Sequence, residues 1–376
     1  MKVLDFIRFN ADWEEKLAQA PYHIKAVWDG DYVLLRYSQL ESDFNEPIVR
    51  ECRGCIFYIP NGDNGWADIV CYPFDKFGNY GESYVPELDW STARVTEKVD
   101  GSLIKIWNHK GKWHVSTNNT IDARNAQTSV EDITFYDMVM RALEKNGNPQ
   151  KFFDALQPTL TYMFELVSPE TRVTIAYPEA KLYYLGARSM CTHKEVDYTP
   201  LMSEAYIEFP KVYKLNTLND CIAAANFMTK DEEGFVVCDA QFNRVKVKSP
   251  EYLIASKLRN NNAITVRNVL SMIREEKIDD FLAYAPDYKS FVEDIQRALR
   301  TIALAISHDA TQAEQIAASY GKPFHEVVLT QLPEQSRDYA FKLHTGKVTS
   351  AMDYLLYAVT LSHLVDWVKE CLDKIK

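Results

Sequence analysis

The sequence predicts an α+β chain in two parts, a unit of strands and helices over residues 1–250 and an all-α unit over residues 251–376. Two observations carry this. Up to Pro250, short apolar runs alternate with a period of two between Gly, Asn and Asp turns; after it the period becomes about 3.6 and strand candidates almost disappear. A length of 376 residues, with 47% apolar and 25% charged residues, suits two globular domains rather than long disorder.

In chain order, strands are expected over residues 31–36, 55–59, 67–72, 94–99, 103–107 and 112–117, with Asn61-Gly62-Asp63-Asn64-Gly65 as one of the turns. The stretch 96–107, TEKVDGSLIKIW, reads as two strands of a hairpin joined at Asp100-Gly101. A helix is expected from Ser129, capped by Ser129 and Asp132, with Ile133, Tyr136, Met140 and Leu143 on one face and a stop at Asn146-Gly147. Strands follow at 160–167, 173–176, 182–187, 234–238 and 244–248. Beyond residue 250, Val292, Ile295, Leu299, Ile302 and Ile306 form one helical stripe and residues 351–371 another.

Residues 1–16 scatter Asp5, Arg8, Asp12, Glu14 and Glu15 among apolar positions, which does not read as a leader. Residues 354–371 contain His363, Asp366 and Lys369 and read as a packed helix, not a membrane span. An intracellular, cytoplasmic chain without a membrane partner is expected. Seven scattered cysteines fit reduced thiols. Cys52 and Cys55 match C-x-x-C, but a zinc site needs a second pair or histidines nearby. The net charge of −11 is unhelpful to a nucleic-acid binder without excluding one, since a basic groove can sit inside an acidic total.

The chemistry-bearing candidate is Lys98, set between Glu97 and Val99 just before Asp100-Gly101. K-x-D-G is expected by chance roughly 0.1 times in a chain of this length. A free lysine is neutral only about once in a few thousand molecules at pH 7, so a nucleophilic Lys98 needs cationic neighbours or a metal. Arg244, Lys246 and Lys248 alternate with valines on one strand, and two ammonium groups about 7 Å apart suit phosphate oxygens. The plainer reading is a solvated edge-strand face. Glu165 interrupts the apolar Met163/Val167 face of a strand and needs a cation, a donor or a ligand hydroxyl, with Arg172 as the ordinary structural partner. Glu232-Glu233 precedes another apolar strand, which alone reads as a solvated strand end.

Taken in order, the runs K-x-D-G-S, F-E-L-V-S-P-E-T-R-V, L-Y-Y-L-G-A-R, E-E-G-F-V-V and K-V-K-S resemble the covalent nucleotidyltransferases, and within them the phage RNA ligase 1 family. Glu51-Cys52-Arg53-Gly54, Pro73-Phe74-Asp75-Lys76-Phe77, and Lys246-Val247-Lys248-Ser249 with Tyr252 carry the closer likeness. The resemblance covers residues of about 30–255 well. It implies a nucleotidyltransferase (ATP-grasp-like ligase) domain of antiparallel sheets with helices, followed by an α-helical domain that binds RNA and sets specificity.

It also implies ATP-dependent sealing of RNA 5′-phosphate and 3′-hydroxyl ends through lysyl-AMP and RNA-adenylate. Lys98 is the implied nucleophile, and Glu165 the ribose contact. Glu233 is the implied residue for metal-assisted chemistry and strand joining. Lys246 and Lys248 hold the α-phosphate, and Arg53 and Lys76 the outer phosphates. Tyr37, Arg188 and Tyr252 are further nucleotide-site candidates. Mg²⁺, with Mn²⁺ as a substitute, is the implied metal, held chiefly by phosphates, with Glu233 and the pair Asp279 and Asp280 as candidate ligands. The implied partner is single-stranded RNA ends, nicked tRNA among them, acted on by a monomer, in host cytoplasm if phage-encoded. One departure stands out: the family often has a basic residue and glycine where this chain has Thr117-Asn118-Asn119-Thr120, so a phosphate contact is missing or moved. A DNA ligase or capping guanylyltransferase is the rival enzyme, although both carry a β-rich domain where this chain turns helical. A catalytically inactive nucleic-acid-binding relative is the rival of another class.

Overall fold

The computed structural model describes residues 1–145, 147–199, 207–229, 231–250, 252, 264–284 and 288–375. The chain divides into two compact units, Met1–Ser256 and Lys257–Lys376.

In the first unit, β1 (Ile24–Asp29), β2 (Tyr32–Tyr37), β3 (Arg53–Tyr58) and β4 (Asp68–Cys71) form a four-stranded sheet in chain order. β5 (Arg94–Glu97) leaves for another sheet, while β6 (Ser102–His109), β7 (Lys112–Thr117), β8 (Leu160–Val167), β9 (Lys181–Ser189) and β10 (Glu195–Val196) form a five-stranded sheet in the order β10-β9-β8-β6-β7. β11 (Val212–Tyr213), β12 (Gly234–Cys238) and β13 (Arg244–Lys248) complete a third sheet in the order β11-β5-β12-β13. Every strand pair in these sheets is antiparallel.

Alternation explains the packing. Val33, Leu35 and Phe57 face helices Lys2–Phe9 and Trp13–Ala18, which deliver Val3, Leu4, Ile7, Trp13 and Leu17. The opposite face, Leu34, Ile56 and Val70, packs on Trp107 of β6 and on Ile121. The far face of β6, Ile104 and Ile106, meets Met138, Val139, Ala142 and Phe152 from helices Phe135–Lys145 and Pro149–Ala155. In the third sheet, Val245 and Val247 pack with Val95, Phe235, Val237, Cys221 and Ala225. That leaves Lys246 and Lys248 on the other side of β13, by the period of two.

Three expectations are corrected. The stretch 96–107 is not a hairpin: Glu97 pairs with Phe235 in the third sheet, whereas Ser102 pairs with Leu166 in the second. The Asp-Gly pair carries the chain between sheets because Asp100, instead of closing a turn, accepts hydrogen bonds from Thr174 N, Ile175 N and the Tyr252 hydroxyl at 2.7, 2.7 and 2.9 Å. Residues 173–176, expected as a strand, have no strand pairing; two of their amides serve Asp100. The helix expected from Ser129 begins at Phe135. Its cap is Thr134 with Asp137, which exchange hydrogen bonds, while the Ser129 hydroxyl donates to Glu170 O. Of the four residues expected on its face only Leu143 is fully buried; Ile133, Tyr136 and Met140 pack at the margin of the cluster.

The second unit is helical. Its longest element, Lys289–Tyr320, has 32 residues, about 48 Å of helix. It buries Val292, Ile295, Leu299, Ile302 and Ile306, the stripe read from the sequence, and ends at Gly321 with φ +61°. The second expected stripe is divided: Ala351–Asp353 runs into a π-turn, Tyr354–Ala358, before helix Leu361–Ile375. No helix among the described residues is long and apolar enough to cross a membrane.

Candidate active site

Lys98 follows β5 at the crossing between the second and third sheets. Its amide donates to Gly234 O at 2.8 Å, which fixes it beside the start of β12. Gly101 makes the crossing possible: a Cβ there would lie 2.4 Å from Leu166 O and 2.9 Å from Glu165 Cγ. The same contact puts the Glu165 stem beside the K-x-D-G segment. Glu165 is the single partly exposed residue of β8, where all its neighbours are buried.

Lys98, Glu233 and Lys248 form a linear ion triad. Lys98 Nζ lies 2.8 Å from Glu233 Oε2, and Lys248 Nζ lies 2.8 Å from Glu233 Oε1. The Glu233 side chain is 0% exposed, Lys248 1% and Lys98 18%, so the lysine that opens to solvent is Lys98. The expected solvated strand end is replaced by burial at Glu233, and of the basic face Lys248 is buried while Arg244 and Lys246 are half-buried on an edge strand. A buried carboxylate between two cations is tolerated, whereas removing one partner of such a pair costs roughly 3–5 kcal/mol.

Lys246 reaches the same region along β13. The segment after β4 lies against this edge, with Lys246 N donating to Gly78 O and Tyr80 N donating to Lys246 O, both at 3.0 Å. It carries Phe77, whose ring lies 5.2 Å from Lys246 Nζ and 5.7 Å from the Arg53 guanidinium carbon. Lys76, next to Phe77, sits on other rings: its ammonium lies 3.9 Å from the Phe44 ring centre and 5.0 Å from that of Tyr37, with Gln39 Oε1 at 3.4 Å. Cation–π contacts of this kind contribute about 0.5–2 kcal/mol each.

Arg188 is bound into a different network. Asp75 and Glu195 hold its guanidinium at 3.0 and 3.1 Å, and Glu195 also pairs with Arg244 at 2.7 Å. Burial works against the Arg188 charge, but Asp75, Tyr72 and Glu195 outweigh it and its pKa is raised. Tyr252 is buried against the triad, with Lys248 Nζ 5.7 Å from its ring centre. Burial, then the charges of Glu233 and Asp100, push its hydroxyl pKa well up, so it stays a donor to Asp100.

The structure therefore brings together Lys98, Glu233, Lys248 and Tyr252, connects Lys246 to Arg53 through Phe77, and seats Lys76 on Tyr37. Asp279 and Asp280 fall in helix Ile278–Tyr284 of the second unit. No cluster of three or more His, Cys, Asp or Glu able to hold a metal occurs among the described residues. Cys52 and Cys55 are free and buried. Both oxygens of Glu233 face an ammonium, so a metal there has to displace a lysine. The residues thus fit a metal carried on phosphates, with few protein ligands. Sequence reasoning missed Asp75 and Glu195 as the ties on Arg188, and Phe77 as the ring shared by Arg53 and Lys246. For Glu195, nothing in its local pattern signals the role.

A family model described as RNA ligase matches residues 51–252. The chain is 31% identical to a relative in Autographa californica nuclear polyhedrosis virus, whose name reads bifunctional polynucleotide kinase/RNA ligase, over 74% of this chain and 41% of that one. It thus spans about two fifths of that relative's length. It is 25% identical to an RNA ligase of Rhodothermus phage RM378 over 70% of this chain and 72% of that one. An archaeal ATP-dependent RNA ligase structure matches with a TM-score of 0.44 and 12% identity, over 74% of this chain and 72% of that one. The family match runs through Arg53, Lys98, Glu165, Glu233, Lys246, Lys248 and Tyr252; the chain belongs to the RNA ligase family, of the phage RNA ligase 1 kind.

Proposed function

We propose that the chain is an ATP-dependent RNA ligase that seals 5′-phosphate and 3′-hydroxyl RNA ends. The observation that carries the reading is the Lys98–Glu233–Lys248 triad, in which the most exposed member is the K-x-D-G lysine. Lys98 Nζ attacks the α-phosphorus of ATP; the bond to the β-phosphate oxygen breaks and pyrophosphate departs. The nitrogen loses its protons, and Glu233 Oε2, 2.8 Å away, is the carboxylate oxygen placed to accept one. An RNA 5′-phosphate oxygen then takes the adenylyl group from Lys98, and the 3′-hydroxyl displaces AMP to form the phosphodiester.

Lys246 and Lys248 supply fixed positive charge for the α-phosphate as the equatorial oxygens gain charge. Arg53 and Lys76 take the outer phosphates, Glu165 the ribose, and Tyr37 and Arg188 border the nucleotide. Tyr252 holds Asp100, and through it the Lys98 crossing. Mg²⁺ or Mn²⁺ on the phosphates adds charge neutralisation when bound. When Lys98 carries AMP it no longer pairs with Glu233, which frees Oε2 for a metal or for the 3′-hydroxyl. Asp279 and Asp280 remain a candidate metal pair, and the helical unit the candidate RNA-binding part.

The test is a mass measurement. Incubation with ATP and Mg²⁺ should add one AMP to the protein, and Lys98→Ala should show no addition. A parallel GTP arm separates the rival: GMP addition in preference to AMP points to a guanylyltransferase. An unmodified wild-type protein under every divalent metal tried sinks the proposal.

A further inference from the structure

Lys105 lies at the middle of β6, on the face that carries Leu103 and Trp107 toward the first sheet, and is 0% exposed. A wholly buried lysine is unusual, because its ammonium gives up hydration that only partners can replace. Among the described residues its one hydrogen-bond partner is Gly54 O, and no carboxylate pairs with it. Two of its three protons are therefore unused.

The surroundings are short of anions too. Arg53, next to Gly54, has a buried Nη1 without a partner, and Asn118 a buried, unpartnered Oδ1. All three meet at Gly54: a Cβ there would lie 3.0 Å from Lys105 Nζ and 2.8 Å from Asn118 O, at a φ of +74°. The glycine keeps this corner open to the ammonium. Burial lowers the Lys105 pKa, the Cys71 and Cys55 thiols oppose that, and the Arg53 charge adds to it. Two neighbouring cations without a carboxylate describe a site built for an anion that the protein does not itself supply. The stretch Thr117-Asn118-Asn119-Thr120 offers no cation, so the charge beside it comes from the adjoining strand.

We infer that Lys105 is a phosphate-binding residue, which with Arg53 forms a cationic corner for phosphate oxygens of the substrate. The inference deepens the ligase reading and rests on it for the identity of the substrate. Continuity favours the outer phosphates of the nucleotide: Lys98, Lys248 and Lys246 lead along β13 to Phe77, and Phe77 leads to Arg53. The other source of the same chemistry is the 5′-phosphate of RNA.

Three measurements on Lys105→Met, which keeps the buried stem, test it. Pyrophosphate binding by calorimetry should weaken roughly tenfold or more, as for loss of a charge-assisted hydrogen bond. The KM for ATP in lysyl-AMP formation should rise with it, and Lys105→Arg should recover part of both. If the source is RNA, pyrophosphate binding stays intact and the preference for 5′-phosphate over 5′-hydroxyl RNA is lost instead. Should Lys105→Met not fold, Asn118→Asp puts a carboxylate in the corner without touching the core, and must weaken pyrophosphate binding. Unchanged affinity for pyrophosphate, ATP and 5′-phosphorylated RNA in a folded variant reduces Lys105 to a tether between sheets. Pyrophosphate binding needs no ligase chemistry, so a wild type that binds it but forms no AMP adduct refutes the function and not the corner.

Discussion

Glu233 Oε1 and Lys248 Nζ stand 2.8 Å apart with the two side chains 0% and 1% exposed. Neutralising Lys248 strips Glu233 Oε1 of its ammonium in a dry site and leaves Lys98, on Oε2, as the cation still facing the carboxylate. Lys248→Met should therefore destabilise the first unit by about 1–3 kcal/mol in urea unfolding, less than the loss of a buried carboxylate's whole counter-charge. Adding Glu233→Gln should return part of that loss, and simple additivity of the two single changes would show that the pair is not coupled.

Tyr252→Phe removes the hydroxyl donor to Asp100 and leaves the Thr174 and Ile175 amides in place. Its expected cost is about 1–2 kcal/mol. The AMP-addition rate should fall more than stability suggests, because the Lys98 crossing loosens. Stopped-time mass measurement of the adduct gives the rate; a wild-type rate separates Tyr252 from the reaction.

Gly101→Ala should be far worse than the loss of one methyl's worth of space implies. The new Cβ meets a backbone oxygen, Leu166 O, at 2.4 Å, and β8 cannot yield without disturbing its pairing with β6. Loss of AMP addition together with a fall in unfolding temperature is expected. A fully active Gly101→Ala protein contradicts the close approach.

His114 stacks on Trp107 at 4.2 Å, and burial, followed by Lys112 and His109, lowers its pKa to about 4. Its depressed folded-state value means that the unfolded chain binds the proton more readily. The neutral ring's contribution to stability is thus present above the ordinary histidine range and is lost as pH falls from about 6.5 towards 4. Unfolding temperatures across that window should drop more steeply for the wild type than for His114→Phe.

Burial pushes the Cys71 thiol up to about 12 and the Cys52 thiol well up, while Cys191 is exposed. Alkylation of the folded protein at pH 8 should modify Cys191 and spare Cys52 and Cys71 until denaturant is added, as peptide mapping will show.

The sequence made the central strands legible because their alternation is strong: 112–117, 160–167, 234–238 and 244–248 match β7, β8, β12 and β13 residue for residue. It made the start of the helix ending at Lys145 illegible because two cap-like pairs, Ser129/Asp132 and Thr134/Asp137, stand close together and only tertiary packing selects between them. β1 buries only Ile24, so its alternation is faint. The hairpin error is the instructive one. Asp-Gly is a local signal, but the partners that settled its use are residues 174, 175 and 252. The candidate residues were legible as types, whereas their pairing was not: Glu233 reads as a solvated acid until Lys98 and Lys248 close on it.

Lys98 and Glu233 are separated by 135 positions, and Asp100 and Tyr252 by 152. During synthesis the lysine therefore emerges long before the carboxylate that pairs with it, and Asp100 gains its Tyr252 hydrogen bond later still. A fragment ending before residue 233 contains Lys98 without Glu233. Such distant closures carry a loop-entropy cost before they return any contact, which makes this site a late event in folding. On the proposed function, reactivity toward nucleotide waits for the third sheet to close.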